Sequence, residues 1–170
     1  MKKAIIIGCP GSGKSTFARA LHEVTHLPVV HLDLLFWNAD KTSVTREVFV
    51  QRLDKAMEQE EWIIDGNFSF TMEKRMAACD TVFFLDYPVE VCLDGVRNRR
   101  GQPRPDMPWV ETGDGPDYDE FLEFISNFQT DRRPQVMNLL EKYSDKTIYH
   151  FTSREQAQDY LDEIRNNWEE

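Results

Sequence analysis

Basic residues are in short supply: 20 lysines and arginines stand against 30 aspartates and glutamates, a formal net charge of −10. Binding along a polyanion depends on phosphate neutralisation and counterion release, so this balance argues against a nucleic-acid partner. Nor is there a convincing helix-turn-helix segment. Cysteine is equally sparse. Cys9, Cys79 and Cys92 are scattered with no CxxC pair, which excludes a disulfide framework or a cysteine zinc site and leaves reduced thiols, Cys9 being the one to watch for oxidation. No apolar run approaches the roughly 20 residues of a membrane span, so no membrane partner is expected. The opening MKKAIIIG is charged and then briefly apolar, far too briefly for a signal-peptide core, which predicts a strand and a cytoplasmic location. There is no internal repeat or low-complexity tract, and 170 residues suit one domain.

What the chain does have is alternation. AIII at 4–7 is a short β-branched run bounded by turn residues, as in a strand buried on both faces. The following helix starts near Lys14 and sets Phe17, Leu21 and Val24 at helical spacing. LPVVHLD (27–33), EWIIDG (61–66), TVFFLD (81–86) and KTIYHF (146–151) read as further strands, and TREVFVQRLDKAMEQE (45–60) as an amphipathic helix. Ser153 and Gln156 form a capping box for a last helix running to about Trp168. Five strands interleaved with helices predict an α/β fold, a parallel sheet covered on both faces. The segment RRGQPRPDMPWVETGDGPDY, 99–118, has no periodicity and breaks this rhythm, which predicts a mobile lid.

GCPGSGKST, residues 8–16, satisfies the pattern GxxxxGK[ST] between a strand and a helix, the context that makes it a P-loop. Glycines let backbone N–H groups turn inward around an anion, and the following helix adds its positive end. Gly8, Pro10, Gly11, Ser12, Gly13, Lys14, Ser15 and Thr16 are therefore the expected ATP cradle. Lys14 reaches the β and γ phosphates, Ser15 ligates Mg²⁺, and Thr16 assists at the α phosphate. No TKxD-like guanine signature is present.

Three carboxylates fall at strand ends, where a doubly wound sheet keeps its functional groups. Asp33 would take the proton of an attacking hydroxyl or hold the acceptor in line, or else cap the helix LLFWNA. Asp65 would hold Mg²⁺ through water, or shape an Asp-Gly turn. Asp86, ahead of Tyr87-Pro88, reads as a cap for the next helix. Trp37, Phe36 and Phe68 offer an aromatic wall for a planar acceptor, with core packing as the alternative for Phe36. His31, inside a strand, reads as a packed histidine.

GCPGSGKST, then HLD, DGN, FLDYP and Arg99-Arg100 about a dozen residues on, resembles the adenylate kinase and nucleoside monophosphate kinase group. With RPDM at 104–107 and NFQTDRRP at 127–134, nearly the whole chain is similar to the small bacterial topology modulation proteins. The resemblance implies a P-loop kinase fold in which Asp65 orients magnesium-bound water, Arg99 binds phosphate, Arg104 lies in the lid, and Arg132 or Arg133 adds a phosphate contact. Such guanidinium groups suit phosphoryl transfer, which gathers cations around moving charge. There are departures. Gly95 stands where adenylate kinases carry an arginine that stacks on the donor adenine, HLDLLFW replaces their acceptor motif, and Asn67 and Phe68 replace a proline and an arginine. The expected function is transfer of the γ phosphate of ATP to a small acceptor, a nucleoside or nucleotide, contacted by Asp33, Trp37, Asn67 and Phe68. The alternative is a nucleotide-dependent regulatory protein, acting on DNA topology or as an ATP-gated switch.

Overall fold

Residues 1–168 are described by a computed structural model, the side chain of residue 116 excepted. Five parallel strands form one sheet in the order β2-β3-β1-β4-β5. They are β1 (Lys3–Gly8), β2 (Val29–His31), β3 (Trp62–Asp65), β4 (Thr81–Leu85) and β5 (Thr147–Phe151). The predicted α/β architecture is therefore the observed one. The run predicted as strand 27–33 divides: β2 keeps three residues, and α2 (Leu32–Phe36) begins where the strand was expected to continue. A short apolar run satisfies either periodicity, and here the helix takes its second half.

Period-two alternation builds the layers. Ala4 and Ile6 of β1 pack with Phe17 and Leu21 of α1 (Lys14–Thr25), Val96 of α5 (Val89–Arg99), Ile125 of α6 (Pro116–Ser126) and Leu161 of α9 (Arg154–Asn167). Ile5 and Ile7 face the other layer. There they meet Phe49 and Leu53 of α3 (Arg46–Met57), Met72 and Met76 of α4 (Ser69–Ala78), and Leu140 of α8 (Arg133–Lys142). A short α7 (Phe128–Asp131) links α6 to α8. α3 starts on Thr45, whose hydroxyl accepts from the Val48 N–H, and α9 on Ser153, whose hydroxyl accepts from the Gln156 N–H, the capping expected there.

β1 is central, with β3 and β4 as neighbours. Its last residue opens the P-loop, flanked by the carboxylates that end β3 and follow β4. The segment predicted as an aperiodic lid is shorter than 99–118: α5 carries Arg99, α6 begins at Pro116, and the irregular connection runs 100–115. Among the described residues no helix is long and apolar enough to cross a membrane.

Candidate active site

The loop between β1 and α1 turns back on itself, with the Ser12 N–H donating to the Cys9 carbonyl at 3.1 Å. α1 then starts on Gly13 in the left-handed region (φ 94°) with no side-chain cap. Its first-turn N–H groups thus face the loop's concavity, where an anion satisfies them. Lys14 Nζ rests against the carbonyls of Gly8 (3.0 Å) and Cys9 (3.2 Å). Burial, with Arg99 adding its own repulsion, lowers the Lys14 pKa. That is the state of a cation waiting for negative charge.

The loop is held from three sides. α5 presses so closely that a Cβ at Gly11 (φ 86°) would lie 2.0 Å from the Cys92 carbonyl, and one at Gly95 would lie 2.1 Å from the Gly11 carbonyl. This explains why no arginine occupies position 95. Gly95→Ala should lower stability by about 1–3 kcal/mol through overpacking, read from the denaturation midpoint; an unchanged midpoint would show that the loop yields. Arg154, at the start of α9, donates to the carbonyls of Ser12 and Gly11, both at 3.1 Å, with its guanidinium 5.5 Å from the Tyr87 ring. From the β3 side, Asn67 clamps Gly8, donating to its carbonyl (2.6 Å) and accepting its N–H (3.2 Å).

Behind that clamp lies Arg75, fully buried on α4. It donates to the carbonyls of Gly66 (3.0 Å) and Asn67 and to the Thr71 hydroxyl (3.3 Å). Burial lowers its pKa to about 9, opposed by the charge of Asp65. These contacts support a strained turn, for Phe68 sits at φ 36° in a region bulky residues avoid.

Asp65 ends β3 and is 3% exposed. It accepts from the Ser15 hydroxyl at 3.4 Å and is hydrogen-bonded to His31 Nδ1. His31 is thus more than packing: it orients the carboxylate. Ser15 and Asp65 set two hard oxygen donors at the mouth of the anion cradle, a donor set that fits Mg²⁺. Among the described residues no group of three or more His, Cys, Asp or Glu could hold a metal alone. Phosphate oxygens and water would have to complete the shell, as Mg²⁺ prefers.

One cavity of about 760 Å³ connects this loop to a second wall. Pro10, Gly11, Gly13, Lys14, Ser15, Thr16, Asp33, Trp37, Asp65, Asn67, Phe68, Arg99, Arg104 and Arg132 all line it, so most of the expected site residues meet in one place. Asp33 lies in the first turn of α2 and caps nothing: His31 holds the cap position. Burial pushes its carboxyl up to about 6, with Lys14 opposing and Asp65 and Asp106 adding to the rise. Arg99 is lowered to about 10 by burial and by neighbouring Arg104. Trp37 meets Trp109 edge to face (5.4 Å, 86°), and Phe36 packs between Trp37 and Phe68.

Three expected residues lie elsewhere. Gly8 and Ser12 do not line the cavity; Ser12 is buried, and Gly8 serves as the point that Lys14 and Asn67 hold. Arg133 is also outside it. Its Nε and Nη2 both reach the Asp86 carboxylate at 2.9–3.0 Å, and His150 Nε2 joins them at 2.7 Å. Asp86 therefore ties α8 and β5 to β4 instead of capping α5, whose cap position is Pro88. Burial raises the Asp86 pKa, and the Arg133 and His150 hydrogen bonds outweigh it to leave a net lowering. Arg133→Ala should cost about 1–2 kcal/mol of stability while leaving ligand affinity of the cavity unchanged, a contrast that Arg132→Ala should not show. Cys9, expected to be open to oxidation, is buried, and hydrogen bonding to Cys92 followed by burial pushes its thiol pKa up, away from the reactive thiolate.

Arg19, Asp106, Trp109 and Arg154 line the cavity without having been singled out. Arg154 lies just inside the predicted last helix, behind the Ser153 cap, and Arg75 lies in a stretch for which no element was predicted. Asp106 and Trp109 fell in a segment without periodicity.

No protein-family model and no curated protein matches the sequence. Among solved structures, shikimate kinase from Bacteroides thetaiotaomicron superposes with a TM-score of 0.56 at 18% identity, over 99% of each chain. The chain shares that kinase's fold. The order 2-3-1-4-5, the P-loop after β1 and the cavity at the strand ends are features of this chain's own geometry.

Proposed function

We propose that this chain is a small-molecule kinase that moves the γ-phosphoryl group of ATP, with Mg²⁺, to a small acceptor, a nucleoside or nucleotide being the first class to test. The observation that carries it is the single continuous cavity joining the P-loop to Asp33, Arg99 and an aromatic wall. A nucleotide switch has no use for a second wall with its own carboxylate and aromatic face.

In this reading the loop N–H groups and Lys14 hold the triphosphate, while Arg99 and Arg104 face the charge that spreads over the moving phosphoryl group. Ser15 and Asp65 would hold Mg²⁺, which supplies charge neutralisation between the phosphates. Asp33 accepts the acceptor's proton. The acceptor oxygen bonds to the γ phosphorus as the bond to the bridging oxygen breaks; ADP leaves, and the proton passes from Asp33 to water. The 100–115 segment lies over the site through Trp109 on Trp37 and Asp106 near Arg19. Covering the site excludes water and limits hydrolysis.

The test is transfer of labelled γ phosphate from ATP with Mg²⁺ across nucleosides, nucleoside monophosphates and small hydroxylated metabolites, beside Lys14→Ala. A labelled acceptor in the wild type alone supports the kinase. Phosphate release that is slow with every compound overturns it in favour of nucleotide-gated binding of a macromolecule.

A further inference from the structure

Arg154 opens the last helix, and its place there is set by the cap beneath it. The Ser153 hydroxyl accepts the Gln156 N–H at 3.3 Å, and the Gln156 side chain accepts the Thr152 N–H at 2.8 Å. The residue is exposed, yet its guanidinium lies in a slot that glycines leave open. A Cβ at Gly13 would come within 3.0 Å of Nη1, and one at Gly95 within 3.2 Å of Nη2. From that slot Nη1 donates to the Ser12 carbonyl and Nη2 to the Gly11 carbonyl, both at 3.1 Å. The Gly11 carbonyl is pressed toward α5 as well, 2.1 Å from where a Gly95 Cβ would stand.

The two carbonyls belong to consecutive peptides. A trans peptide is planar and carries its C=O and N–H on opposite sides, so a carbonyl gripped from α9 turns the following N–H away from that helix. In the first peptide the result is visible, for the Ser12 N–H crosses the loop to the Cys9 carbonyl at 3.1 Å. By the same geometry the Gly13 N–H is turned to the loop's inner side, beside the first turn of α1. We propose that Arg154 is a positioning residue for the donor's phosphates: it holds these two peptides so that their N–H ends are ready for an anion. Its charge also covers two carbonyl oxygens that would otherwise present their negative ends at the edge of the cavity, which Arg154 lines. The inference rests on the reading of the loop as an ATP cradle. It gives the last helix a part in donor binding that the loop's own residues do not supply.

The experiment titrates ATP and inorganic tripolyphosphate, each with Mg²⁺, into wild type, Arg154→Ala and Arg133→Ala by calorimetry. Arg154→Ala should weaken both ligands by the same factor, about tenfold, because the phosphates they share are what the two peptides receive. Arg133→Ala gives up its bonds to Asp86 and should keep both affinities, so that lost stability alone does not account for the result. Unchanged affinities in Arg154→Ala overturn the inference and leave the kinase reading standing. A loss confined to ATP overturns it too, as does tripolyphosphate that fails to bind the wild type while ATP binds, since Arg154 would then serve the base or the ribose. An equal loss in Arg133→Ala assigns the effect to general loosening and has the same consequence. Binding of neither ligand to wild type overturns the cradle and the inference together. Should Arg154→Ala fail to fold, Arg154→Gln, which keeps the stem and a single donor group, takes its place with an equal loss for both ligands of about threefold or more.

Discussion

Lys14→Ala should lower γ-phosphoryl transfer by about 10²–10³-fold, the usual loss when one pre-positioned charge donor to a transition state is removed. The same substitution should leave the fold nearly untouched. Lys14 contributes two hydrogen bonds to loop carbonyls, Gly8 and Cys9, and its own side chain lines the cavity, from which water can take the place of the amine. Burial and Arg99 disfavour its charge, so the folded protein gives something up to keep Lys14 ionised. The thermal midpoint should accordingly move by less than about 4 °C, the shift that roughly 1 kcal/mol produces in a chain of this size. Measuring transfer and melting on one preparation separates the two effects. Transfer at the wild-type rate would remove the P-loop from the chemistry, and a collapse in melting would make the activity loss uninformative.

The contrast between Lys14 and Arg75 shows what a sequence can display. Lys14 was legible because a loop that cradles phosphate must be written locally: glycines, lysine and hydroxyl at fixed spacing, between a strand and a helix. The strands were legible for the same reason, since a short apolar run rich in β-branched residues and bounded by turn residues is a property of neighbours. Arg75 works across the fold. Its partners, the carbonyls of Gly66 and Asn67, are backbone atoms with no signature in the sequence. Arg154 is similar, reaching from α9 to carbonyls more than 140 residues away. Asp86 was misread because Asp-Tyr-Pro is a plausible helix start, whereas Arg133 and His150 come from elements that only the sheet brings to it. The beginning of α6 was hidden behind glycines and proline, although the DYDEFLEFIS that follows has helical spacing. Local chemistry was readable, and long-range hydrogen bonding was not.

Asp33→Asn should show the opposite pairing of effects to a damaged fold: less activity with more stability. As the base nearest the acceptor, Asp33 contributes about 10²–10⁴-fold, and its amide cannot take a proton. Its carboxyl is pushed up to about 6 by burial; Lys14 and Arg104 favour the ionised form, while Asp65 and Asp106 oppose it. Only the ionised form can act as base. Wild-type kcat/KM should therefore fall about tenfold per pH unit below roughly 6 and level off above it, and the residual activity of Asp33→Asn should lack that limb. Stability has the reverse sign. The folded state binds the proton more tightly than the unfolded chain, so ionising Asp33 costs nothing in strong acid and costs most above about pH 6. An asparagine escapes that cost, and the variant should gain about 1–3 kcal/mol over wild type at pH 7, a gain that disappears towards pH 3. Denaturation of both proteins at the two pH values tests this. A variant that is less active and also less stable at pH 7 would show that Asp33 holds the fold together, whereas the predicted pairing is what a charge kept in place for its chemistry must give.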